Sequence, residues 1–165
     1  MVSIAMTLST VSLGQQVPEN RKATTMANES KIVNDALASA EQISRALSQS
    51  GYTADFSLES LKQVDRFFEE QAVNGQPRPR GLLSQQLGAR LFAVGAYVGE
   101  VIRRLNDGQW QGDDNDPQAE INIAVRLKDG ALLWPVQRVM RRFKNGADDS
   151  VWVYGVTVSS SATKQ

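Results

Sequence analysis

The sequence predicts an α+β fold, a block of helices followed by a small antiparallel sheet, and three observations lead to it. Apolar residues recur every three to four positions through the first two thirds of the chain, the period of a helix with one buried face. Gly88, Gly95 and Gly99 lie seven and four residues apart, spacings that return a helix to nearly the same side. Beyond Pro117, Ile121-Asn122-Ile123-Ala124-Val125-Arg126-Leu127 alternates with period two, as a half-buried strand does.

Residues 1–27 read as a disordered tail or a weak leader. No Lys or Arg precedes Arg21, and serines and threonines dilute the apolar start, whereas a signal peptide has a basic start and a stronger apolar stretch. Residues 28–158 read as a single domain, and 159–165 as a polar tail. The first helix covers about Glu29 to Ser48, with Ile32, Val33, Ala36, Leu37, Ala40, Ile43 and Leu47 at helical spacing, and Gly51 stops it. Ser57 caps the second helix, whose stripe is Leu58, Leu61, Val64, Phe67, Phe68 and Ala72. Asn74-Gly75 ends it, and residues 76–81 form an extended connector, because proline disfavours helix in the residue before it.

The third helix runs from Leu82 to Leu105 and carries the glycine face. Each interior glycine costs a helix roughly 1 kcal/mol against alanine, so three on one face predict close approach of another backbone. Trp110 and a polar loop follow. Lys128-Asp129-Gly130 reads as a hairpin turn between residues 121–127 and Ala131-Leu132-Leu133-Trp134. Val136 to Lys144 reads as a short basic helix. Ser150 to Val158 alternates again and reads as the last strand.

From Leu87 to about Tyr154 the chain resembles small bacterial domains of unassigned function. The carriers are Leu87-Gly88, then Gly95-Ala96-Tyr97-Val98-Gly99-Glu100, then Trp110, a hairpin ending in Trp134-Pro135, and a basic helix. The resemblance implies the fold of that region and no catalytic residues.

Composition removes several chemistries. The chain has no histidine and no cysteine, so it cannot itself build disulfides, thiolate nucleophiles, Ser-His triads or His-ligated metal sites. Basic and acidic residues balance at 18 each, which argues against a strong general nucleic-acid binder. There is no phosphate loop, dinucleotide fingerprint or nucleophile elbow, so no cofactor is expected. No apolar run reaches the roughly 18 residues a membrane span requires. A cytoplasmic location is expected, with secretion the alternative if the first residues act as a leader.

Five constellations remain. Asp113, Asp114, Asp116 and Glu120 form an acidic group that could hold a hard cation or simply be a solvated loop. Arg138, Arg141 and Arg142 share a helix face that could grip phosphates or an acidic protein, or complement the helix dipole in solvent. Trp110, Trp134 and Trp152 read as core or core-edge aromatics, with Trp110 the candidate interface anchor. Glu100 pairs with Arg103 or Arg104 along its helix, and Gly95-x-x-x-Gly99 packs within the chain or joins a homodimer.

The expected function is non-catalytic binding of another protein, of the inhibitor, immunity or adaptor type. The alternatives are weak nucleic-acid or phosphate binding through the basic helix, and a metal enzyme built on the four carboxylates.

Overall fold

The computed structural model describes residues 30–162, so the tail or leader expected at 1–27 lies outside the described residues. Helix α1 (Lys31–Gln49) buries Ile32, Val33, Ala36, Ala40, Ser44 and Leu47. Gly51 closes it at φ 88°, and the Tyr52 N–H reaches back to the Leu47 carbonyl. Helix α2 (Ser60–Gln71) begins where the Ser57 hydroxyl accepts the Ser60 N–H at 3.1 Å. The helix stops at Gln71, before the expected Asn74-Gly75, which instead forms the turn of a short hairpin, β1 (Ala72–Val73) against β2 (Gln76–Pro77).

Helix α3 (Leu87–Leu105) starts five residues later than expected, after Gln86 in the left-handed region at φ 51°. It is the central element. Val94, Ala96, Tyr97, Val98 and Val101 are fully buried, with α1 on one side and α5 (Pro135–Asn145) on the other. Pro135 suits the first turn of α5, where its missing N–H leaves no bond unmade.

The three-stranded sheet is antiparallel, in the order β3 (Gln109–Gln111), β4 (Ala124–Arg126), β5 (Leu132–Leu133). The strand expected over 121–127 is shortened because Ala119–Asn122 forms the single helical turn α4. Trp110, expected beside a loop, is a strand residue opposite Val125.

The largest departure is at the C-terminal end. Val151–Ala162 is a helix, α6, and not the expected last strand; it follows a 3-10 turn at Gly146–Asp149 and absorbs the start of the expected polar tail. The β-branched run costs only tenths of a kcal/mol per residue in a helix. Against this, Asp65 of α2 accepts the Val151 and Trp152 N–H groups, each at 3.1 Å, and the Ser150 hydroxyl accepts the Val153 N–H at 3.1 Å. Such caps are worth about 1 kcal/mol each. Burial adds to them: Val151 is fully buried, and a Cβ on Gly155 would lie 2.5 Å from Leu61 Cδ1. The α+β class stands, with less strand and one more helix.

The glycine face works at two of its three positions. A Cβ on Gly95 would lie 2.6 Å from Val136 Cα, so the α3 and α5 backbones touch there. A Cβ on Gly99 would collide with the Trp110 ring and lie 2.7 Å from Pro135 Cγ. Gly88 has no such neighbour within 4 Å and takes no part in close packing, since it lies in the first turn of α3, short of α5. Of the two readings of Gly95-x-x-x-Gly99, packing within the chain is the one seen here: the chain's own α5 and Trp110 fill that face.

Candidate functional site

The charged residues divide into those locked inside and those left outside. Glu100 is locked inside. Its carboxylate is 3% exposed and accepts two hydrogen bonds from Arg103 at 2.8 Å, one from Arg104 at 2.7 Å and one from the Trp110 indole at 3.0 Å. Burial alone would raise its pKa, but the bonds from Arg103, Arg104 and Trp110 outweigh it and hold the group at about 2. Arg104 also spans to Glu41 of α1 at 3.0 Å and lies 3.9 Å over the Phe56 ring. A carboxylate so saturated stays ionised at neutral pH and cannot exchange a proton as a general acid. Trp110, named as an interface anchor, is half-buried and spends its only polar hydrogen on Glu100.

Arg142 is locked as well. It is 2% exposed, with Nε donating to Asp65 Oδ1 at 2.6 Å and Nη2 to the Asp65 carbonyl at 2.9 Å. Asp65 Oδ2 accepts the Ser150 hydroxyl at 2.6 Å. One aspartate thus neutralises a buried arginine and seats the start of α6. Asp65 carried no assignment in the sequence reading, although it stands beside the apolar stripe of Leu61, Val64 and Phe68. An acid at the border of an apolar stripe was the available signal.

The acidic loop disperses into local bonds. Asp114 accepts the Lys31 and Ile32 N–H groups at 2.7 and 2.8 Å and caps α1. Asp113 accepts the Asn115 N–H, and Asp116 accepts the Gln118 N–H and the Asn122 amide. Among the described residues no group of three or more potential ligands is placed to hold a metal ion. Asp113, Asp114 and Asp116 thus act as capping and turn-forming groups, and Glu120 lies in the single turn α4.

The three arginines expected on one face part company. Arg142 turns inward. Arg138 is half-buried between Asp149 Oδ1, at 3.1 Å, and the Ser150 carbonyl, at 3.1 Å, and stacks 4.9 Å over the Tyr154 ring. Arg141 is exposed and forms no ion pair among the described residues. Burial pushes the Tyr154 phenol up, against the pull of Arg138 and Arg141. Trp134, at the start of α5, is 43% exposed. Positions 134, 138 and 141 follow i, i+4, i+7 and so share one stripe. The outer face of α5 thus presents an exposed indole, an arginine stacked on a tyrosine and an unpaired arginine.

Among the described residues no helix is long and apolar enough to cross a membrane. Compared with protein-family models, curated proteins and solved structures, the chain matches none of them. The resemblance of residues 87–154 to small bacterial domains therefore rests on its motif alone.

Proposed function

We propose that this protein is a non-catalytic binding module whose partner is another protein, docked on the outer face of α5. The observation that carries the reading is the stripe of Trp134, Arg138 with Tyr154, and Arg141. Trp, Tyr and Arg are the residue types that dominate the energetics of protein interfaces, and here they stand together on one surface. The Arg138–Tyr154 stack is already ordered by Asp149 and Ser150, so little side-chain entropy remains to be lost on docking. The free Arg141 charge favours a partner with an acidic rim around an apolar pocket that takes the indole.

The test compares the tagged full-length protein with Trp134→Ala and Arg141→Glu variants in pull-downs from the source cell, after nuclease treatment and a high-salt wash. A stoichiometric protein held by the wild type and lost from both variants, whose circular dichroism is unchanged, supports the reading. A partner retained by both variants moves the surface elsewhere. Material lost with nuclease or salt returns the nucleic-acid alternative, which on this geometry has Arg141 and Lys144 available.

A further inference from the structure

A second feature of α5 lies at its other end, away from Trp134. The β1–β2 turn and the last turn of α5 enclose a cleft of about 340 Å³, within the size range of small-molecule sites. Phe68 and Phe143 line it, edge to face with centroids 6.4 Å apart, and Val73 closes the apolar side. Gly75 brings the hairpin down onto the helix end: a Cβ there would sit 3.2 Å from the Lys144 carbonyl oxygen. The cleft is thus an aromatic slot with a backbone rim.

Its charges are unequal. Arg142, Arg78 and Lys144 line the cleft against one carboxylate, Glu69. Asp65 answers the Arg142 charge through Nε and Nη2, and Glu69 Oε1 accepts a longer bond from Nη2 at 3.4 Å. Arg78 is exposed, tethered through Nη2 to the Glu69 carbonyl at 3.4 Å. Lys144 is exposed and has no ion pair among the described residues. The partial negative charge at the end of α5 opposes an anion, but it amounts to about half a unit. The Gly146 N–H also already occupies the Arg142 carbonyl.

We infer that this cleft binds a small aromatic carboxylate, its ring against Phe68 and Phe143 and its carboxylate toward the exposed Arg78 and Lys144. A ring fills the apolar side, where edge-to-face partners are already set. A planar carboxylate suits the open edge of a guanidinium.

The experiment is a titration of the full-length, ¹⁵N-labelled protein with phenylacetate, followed by amide NMR. Phenylacetamide keeps the ring without the charge, and acetate keeps the charge without the ring. Saturable shifts at Asn74, Gly75, Asn145 and Gly146 are expected with phenylacetate, with at least tenfold weaker binding of either control. The Arg78→Gln/Lys144→Gln protein changes two exposed side chains and leaves the Arg142–Asp65 pair intact. It should bind phenylacetate at least tenfold more weakly, with its other amides unmoved. The inference is overturned by an absence of saturable shifts, by equal binding of either control, or by unchanged affinity in the double variant.

Discussion

Arg141 and Arg142 are neighbours in the chain and face opposite ways from α5. Arg142 points into the molecule, where Asp65 meets it with a carboxylate oxygen and a backbone carbonyl. Arg141 points out, on the stripe that holds the exposed Trp134. A helix turns about 100° per residue, so one step in sequence separates a structural charge from an available one. The contrast extends along the helix. Its inner side rests on Gly95 and Gly99 with almost no tolerance, whereas its outer side holds Arg138 against Asp149 and Tyr154 and leaves Trp134 and Arg141 exposed. Basic residues close together in a helix are therefore not one patch. Which of them can meet a partner depends on which already has a carboxylate.

The contrast breaks most sharply at Asp65. Asp65→Ala leaves the buried Arg142 with only its longer contact to Glu69 and removes the acceptor of two N–H groups at the start of α6. Breaking a buried pair in this way costs about 3–5 kcal/mol, readable as a lower urea midpoint. A loss below about 1 kcal/mol would show that the inner face does not depend on this pair.

Glu100 gives the next effect, through pH. Its folded pKa of about 2 lies below the ordinary 4.5, so the stability it contributes is fully present above pH 4.5 and is lost as pH falls toward 2. By linkage this amounts to something on the order of 3 kcal/mol. Glu100→Gln should be less stable at neutral pH, and its stability should fall less steeply between pH 5 and 2 in urea melts. An acid limb as steep as the wild type's would show that other carboxylates set it.

The glycines of α3 sharpen the comparison by a change of sign. Gly95→Ala forces a methyl group against the Val136 backbone and should cost about 1–3 kcal/mol by overpacking. Gly88→Ala meets nothing and should stabilise by up to about 1 kcal/mol, the ordinary helix preference for alanine. Thermal melts of the two variants should move in opposite directions; melts that move together would remove the close contact from the account. The smallest effect belongs to the outer face. Arg141→Glu should leave stability within about 0.5 kcal/mol while abolishing partner capture.

Local pattern made much of this legible. The helical spacing of Ile32 to Leu47, the Ser57 cap and the Lys128-Asp129-Gly130 turn each act within a few residues, and each is where it was expected. Gly95 and Gly99 announced a close contact, though not that Val136 and Trp110 would supply it. The last element was misread because Val151 to Val158 satisfies a strand's alternation, while the groups that make it a helix, Asp65 and Leu61, sit some ninety residues earlier. The acidic loop and the arginine stripe failed for the same reason. Asp114 and Arg142 look free in sequence because their partners, the start of α1 and Asp65, are distant. The exposure of Trp134 is a tertiary fact as well, set by what does not pack on it.

Ser30 stands where α1 would carry its own cap, yet its hydroxyl is buried with no hydrogen-bond partner among the described residues, and Asp114, 83 residues beyond Lys31, holds the first amide instead. During synthesis α1 leaves the ribosome long before that carboxylate exists. Its first turn is finished only when the loop carrying Asp114 folds back across it, so the order in which the chain is made is not the order in which its ends are secured.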